Sequence, residues 1–170
     1  MNPYLSDVQE AGHAAKLEVE ICYRTEWDEF WSYVGNKSNQ RWTWYAIERH
    51  SGVVLAWQNG DRSAATLARL LALLEHLPIR VCYTDDWKAY SKLFPERYFH
   101  IIGKDNTWKI ERKNLSFRTH LKRLSRRTIC FSKSEQIHDN VIGMYIEKYY
   151  FKSGTMAGHF RQQKKQCQQF

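Results

Sequence analysis

SAATLARLLALLEHLPIRVCYTDDW, residues 63–87, is the stretch that decides the fold. Leu67, Leu70, Leu71 and Leu74 recur at i, i+3, i+4 and i+7, the spacing of one helical face. Asp61 or Ser63 is placed to cap the start of a helix over 63–76, and Pro78 ends it. Ile79 to Thr84 reads as a short strand with Val81 and Tyr83 at its centre, running straight into Asp85, Asp86 and Trp87. A helix that returns the chain to a further strand is the crossover that parallel pairing requires.

On the N-terminal side, Ile21 to Val34 is rich in aromatic and β-branched residues and predicts a strand. Gly35 to Asn39 has turn composition, and a second strand is expected over 41–48. His50-Ser51-Gly52 turns the chain into a third strand over 53–58, which Asn59-Gly60-Asp61 breaks. On the C-terminal side, Tyr98 to Ile102 predicts a short strand closed by Gly103. A long helix is expected from Asn106 or Thr107 to Leu124, with Ile110, Phe117, Leu121 and Leu124 as its apolar face. Ser132-Lys133-Ser134-Glu135 has the form of a capping box, opening a last helix through Ile137, Val141 and Tyr145. The expected class is α/β, a mixed sheet of three antiparallel strands plus parallel strands, flanked by helices. Residues 1–20 form a helical arm in this reading, 21–152 the folded domain, and 153–170 a mobile basic and Gln-rich tail.

A chain of 170 residues is the length of one domain, and 43% hydrophobic residues can fill its core. No apolar run approaches the ~18 residues that span a bilayer, and residues 1–20 lack the continuous apolar stretch of a signal peptide. The expectation is a soluble cytoplasmic protein without a membrane partner. Cys22, Cys82, Cys130 and Cys167 form no Cys-x-x-Cys pair and have no His at zinc-ligand spacing, so reduced thiols are expected. The net charge of +8 favours an anionic partner, nucleic acid or an anionic membrane surface. Much of it is concentrated between Lys109 and Arg127, where Glu111 is the sole acid among eight Lys and Arg.

Three acids stand where chemistry is expected. Asp28 lies inside the first strand, where an unpaired carboxylate is costly to desolvate. Asp85 lies at the C-terminal end of the fourth strand, where α/β sheets present functional groups, and Glu111 lies in the first turn of the basic helix. Taken singly, each has an ordinary explanation: an edge residue, a turn cap, a charge favoured by the helix dipole. Taken together, three converging carboxylates repel one another, and two divalent ions resolve that conflict. Arg118 and Lys122, seven and eleven residues after Glu111, are then placed to hold a DNA backbone beside the metal.

Six blocks resemble, in order, the transposases of the IS-one family of bacterial insertion sequences. They are Asp28 to Gly35, Gln40-Arg41-Trp42, Thr84 to Trp87, Ile110 to Leu115, Phe131 to Ser134 and His138 to Gly143, within Cys22 to Tyr150. The resemblance implies a ribonuclease-H-like fold and a DDE active site of Asp28, Asp85 and Glu111 that uses Mg²⁺ or Mn²⁺, two ions in the active complex. It implies hydrolysis at the element's ends, then attack by the freed 3′-hydroxyl on target DNA. It also implies double-stranded DNA as partner, action as a dimer or larger assembly, and a place at the bacterial nucleoid. Lys109, Arg112, Arg118, Lys122, Arg123 and Arg126 are the candidate DNA contacts. The resemblance departs at Asp86, where the family usually has glycine, and in the 26-residue spacing from Asp85 to Glu111, one longer than usual. Asp86 therefore stays open as an alternative ligand or a supporting acid. Family members also carry an upstream zinc-binding element and helix-turn-helix, so the chain resembles the downstream reading frame alone.

Asn114 is a candidate to orient a carboxylate, and His138 or His100 to contact metal or phosphate; a satisfied buried amide and surface imidazoles are the ordinary alternatives. Trp42, Trp44 and Trp57 are expected in the sheet, with Trp87 and Trp108 lining the site. Two rival functions remain: a non-catalytic DNA-binding regulator of transposition, and another ribonuclease-H-like nuclease such as a junction resolvase.

Overall fold

The computed structural model describes residues 23–103, 106–125 and 127–150. The expected arm over 1–20 and tail over 153–170 lie outside these, as do Cys22, Cys167 and Arg126. β1 (Tyr23–Val34) is the middle strand, and both its faces are covered. β2 (Asn36–Glu48) and β3 (Val54–Gly60) follow it antiparallel. After α1 (Ala64–Leu74), β4 (Ile79–Thr84) pairs parallel to β1, and β5 (Phe99–Ile102) pairs parallel to β4. The sheet order is β3-β2-β1-β4-β5, the mixed sheet expected from the crossover.

The alternation of β1 sorts its residues between two cores. Trp27 joins Trp44, Ala46, Leu67, Leu70 and Leu74 beneath α1. Phe30 joins Tyr45, Ile47, Phe117, Ile142 and Ile146 on the opposite face, beneath α3 (Trp108–His120) and α4 (Glu135–Tyr149). Ser63 caps α1 by accepting the Thr66 N–H at 3.2 Å. Among the described residues no helix is long and apolar enough to cross a membrane.

Four local expectations are corrected. β2 begins at Asn36 rather than Arg41, but its register slips from Tyr33↔Gln40 to Val34↔Asn36. Residues 37–39 therefore bulge out beside Gly35 (φ +78°), with Asn36 Oδ1 accepting the N–H groups of Ser38 and Asn39. Gly35 in the left-handed region and the Asn36 side chain together make the reversal within the five residues of turn composition. α2 (Lys88–Leu93) is additional; six residues carry too little periodicity to be read. α3 stops at His120: Leu121 adopts φ −102°, ψ 92°, and a 3₁₀ turn over Lys122–Leu124 tucks Leu124 into the core. Lys122 and Arg123 therefore leave the helix that carries Arg118. The last helix is capped by Ser134, not Ser132, which instead bridges to Val34.

Phe117 is fully buried against Phe30, Tyr45 and Tyr145. Phe117→Ala should cost about 3–5 kcal/mol in chemical denaturation. Leu115, two residues away and 65% exposed, should change stability by less than about 0.5 kcal/mol as Leu115→Ala. Equal losses would mean that α3 does not sit on β1 as described.

Candidate active site where two parallel strands part

The register of the parallel pair builds the site. Glu26 of β1 lies level with Tyr83 of β4, and β4 ends one residue later at Thr84. Two further steps along both chains bring Asp28 level with Asp85, just where the β4 ladder stops and the sheet opens. Asp28 still pairs with Tyr45 of β2 on its other side.

Asp28 Oδ1 accepts the Glu29 N–H at 2.8 Å, and Oδ2 accepts Asn114 Nδ2 at 2.5 Å. Asn114 reaches it from α3, while its own Oδ1 accepts the Tyr45 O–H at 2.7 Å. The same hydroxyl lies 3.0 Å from the Ile110 carbonyl. Burial, above all, pushes the Asp28 carboxyl up to about 7; the negative charges of Glu29 and Asp85 add to it, and the two hydrogen bonds only partly oppose it. Asp85 is half-buried and accepts the Trp87 N–H at 3.1 Å, whereas Asp86 is exposed.

Glu29 belongs to this neighbourhood and was missed in the sequence. It projects to the opposite sheet face, where Oε1 accepts Arg62 Nη2 at 2.8 Å and Oε2 accepts the Tyr90 O–H at 2.8 Å. Burial raises its pKa too, and Asp85 contributes. Arg62 stands over the rings of Trp42 and Trp87, so Trp87 packs on this face of the sheet, while its N–H meets Asp85. The available signal was an acid pair inside an aromatic strand, which alternation splits between two faces.

Glu111 is exposed in the first turn of α3, with the Thr107 hydroxyl 3.4 Å from its Oε1. It lies one turn before Asn114 and two before Arg118, on the flank of α3 that faces Asp28. Among the described residues no three of His, Cys, Asp and Glu are grouped to hold a metal ion. The structure thus brings Asp28 and Asp85 together and leaves Glu111 at the rim. The donors are all hard oxygens, and the side-chain partner of Asp28 is an amide rather than a cation, a set that fits a divalent cation such as Mg²⁺ or Mn²⁺.

The other candidates divide. His138 is fully buried between Ser32 (3.1 Å) and Ser132 (2.8 Å), about 13 Å along β1 from Asp28 at the usual strand rise. It is a core bridge, not a surface residue or a ligand of this site. His100 meets the Thr84 hydroxyl at 2.6 Å and the Phe94 ring. Arg123 reaches the Ser132 hydroxyl, and Lys109 reaches the carbonyls of Arg49 and His50, on the flank of α3 away from Asp28.

Residues 19–152 match the family model described as IS1 transposase. The chain is 48% identical over 131 residues to insertion element iso-IS1n protein InsB of Shigella dysenteriae, covering 77% of this chain and 97% of that protein. It is 44% identical over 134 residues to insertion element IS1 4 protein InsB of Escherichia coli K12, covering 78% of each. In structure it resembles a chain of the simian T-cell lymphotropic virus intasome solved with PP2A regulatory subunit B56 gamma, with a TM-score of 0.51 at 14% identity. That likeness covers 79% of this chain and half of the other, and it is one of fold: the sheet and its helices are ribonuclease-H-like.

Two stability experiments follow from these environments. Folded Asp28 holds its proton more tightly than the unfolded chain does, so its ionisation removes stability as pH rises from about 4 to about 7. In EDTA, Asp28→Asn should therefore stabilise the fold at pH 8 by up to about 3 kcal/mol, with the gain shrinking toward pH 4.5. A gain independent of pH would remove Asp28 as a buried acid. Burial holds His138 down at about 4, so the unfolded chain takes up a proton first, and wild type should lose about 3 kcal/mol between pH 6.5 and 4 from this group. Urea melts of His138→Gln should show a lower stability at pH 7 and a smaller loss over that window; an equal loss would contradict the buried neutral imidazole.

Proposed function

This chain belongs to the IS1 transposase family, and we propose that its Asp28, Asp85 and Glu111 act as a DDE centre that cuts and joins DNA. The reaction would be hydrolysis of a phosphodiester at each end of the element, then attack of the freed 3′-hydroxyl on a target strand. The observation that carries this reading is the half-buried Asp28 carboxylate, held near Asp85 at the open end of the β1–β4 pair and bonded to no cation among the described residues. Asp28, Asp85 and Glu111 would hold Mg²⁺ or Mn²⁺, two ions in the active complex, which would supply charge neutralisation and Lewis-acid polarisation of the phosphodiester.

The chain's own residues prepare that chemistry. The Glu29 N–H and Asn114 fix the two oxygens of Asp28, and the Tyr45 hydroxyl fixes which end of the Asn114 amide faces it. Such fixed dipoles keep the carboxylate aimed at the opening instead of repacking around each substrate. Glu111, exposed on the same flank, completes the set by leaving its contact with Thr107. Arg118, seven residues on, lies along the path of a strand entering between Glu111 and Asp85. Double-stranded DNA, as element ends and as target, is the partner in this proposal, and paired ends call for two or more copies of the chain.

A second reading, a DNA-binding regulator without chemistry, is favoured by the position of Glu111 outside any three-acid group. One assay separates the two. A duplex bearing the element's ends, incubated with the protein and Mg²⁺ or Mn²⁺, should yield cleaved and joined strands. Asp28→Asn, Asp85→Asn and Glu111→Gln should each slow this at least about a thousandfold, equivalent to about 4 kcal/mol, and Asp86→Asn only a few-fold. Loss with Asp86→Asn and not Asp85→Asn would transfer the second role to Asp86. DNA binding without products, unchanged by all three substitutions, would establish the regulator.

A further inference from the structure

The basic residues of α3 do not form one surface. At 100° per residue, Glu111, Asn114 and Arg118 share one flank, while Lys109, Arg112 and Lys113 turn toward the His50–Gly52 turn between β2 and β3. There they line an open cavity of about 290 Å³, together with Trp108 and Tyr150. Among its described lining residues there is no Asp or Glu. Glu48, at the foot of the turn, is already engaged by the N–H groups of His50 and Ser51.

We infer that this cavity binds a backbone phosphate of DNA, at a contact separate from the carboxylate site and on the other side of α3. Lys109 Nζ is anchored on the carbonyls of Arg49 (2.6 Å) and His50 (3.2 Å), which holds its charge at the cavity wall. Lys113 Nζ lies 3.7 Å from the centre of the Tyr150 ring, half-buried in the cavity wall, so its charge borders the space an anion would fill. Arg112 is exposed beside them and offers the planar fork that matches a phosphate. Three cations share one cavity whose described lining holds no carboxylate, and a phosphodiester relieves their mutual repulsion. Trp108, 53% exposed at the rim, gives the adjoining sugar or base a flat apolar face. Because the two flanks lie on opposite sides of one helix, DNA held here is gripped away from the metal-binding carboxylates and positioned rather than cut. The inference shares with the functional reading only that the polyanion is DNA; it needs neither Asp28 nor metal.

Fluorescence anisotropy of labelled duplex DNA, titrated across salt concentrations in EDTA, tests it. Arg112→Ala with Lys113→Met, which keeps the stem beside Tyr150, should weaken binding at least tenfold and lower the salt slope by about two. Arg112→Ala alone removes an exposed side chain without threatening the fold and should lower the slope by about one. Lys37→Gln with Lys133→Gln removes the same charge from exposed sites elsewhere and should leave the slope unchanged. An unchanged slope in the Arg112 and Lys113 variants, or an equal fall in the control, overturns the proposal. Inorganic phosphate titrated by ³¹P NMR distinguishes the source: millimolar binding lost in the double variant, with DNA affinity intact, would make this a free-anion site and sink the DNA contact. Asp28→Asn should keep the full slope, so failure of the carboxylate chemistry leaves this result standing.

Discussion

β1 is covered on both faces and yet carries Glu26, Asp28 and Glu29 within four residues. An ionised carboxylate in such a place must be paired, hydrogen-bonded or neutralised. Much of the architecture around the strand answers that requirement. Glu26, with no exposed surface, accepts the Ile110 N–H at 3.0 Å and meets Arg49 at 3.3 Å, which pins the start of α3 and the end of β2 to one point. Glu29 draws in Arg62 from the loop before α1 and Tyr90 from α2. Asp28 receives Asn114 from α3, and Tyr45 holds that amide in turn.

The three acids are not satisfied alike. Glu26 and Glu29 each meet an arginine, whereas Asp28 is given dipoles and a neighbouring acid, and its pKa rises accordingly. A strand that needed only to be stable would gain by replacing Asp28 with a residue of similar shape and no charge. The cost is concentrated at the one position where the β4 ladder ends and solvent reaches the sheet. Stored repulsion at an opening is what a cation or a phosphate can relieve, so on the proposed function the instability and the chemistry would share the same atoms.

α3 distributes its side chains by the same logic. Its inner face, Ile110 and Phe117, packs on β1 and β2; one flank carries Asn114 to Asp28 and leaves Glu111 and Arg118 at the rim. The other flank collects lysines and an arginine over a cavity beside Trp108 and Tyr150. A single helix thereby separates an acid-bearing edge from a purely basic one, about a helix diameter apart, roughly 10 Å.

By itself, the sequence determined the sheet and its crossover, because the period of Leu67 to Leu74 and the short run from Ile79 to Thr84 are local signals that need no knowledge of partners. It also determined that Asp28 lies inside the first strand and Asp85 at the end of the fourth, through the order of elements and the blocks shared with the IS1 transposases. Only the tertiary structure decided the rest. Glu29 pairs with Arg62 and Tyr90, and His138 with Ser32, because contacts 33 to 106 residues apart leave no trace in local spacing. The end of α3 at His120 was equally hidden: over three residues a 3₁₀ turn buries Leu124 at a spacing that a helix would share. The division of the basic residues between two flanks depends on which face of α3 meets the sheet, and that is chosen by the burial of Ile110 and Phe117 rather than by the charges themselves.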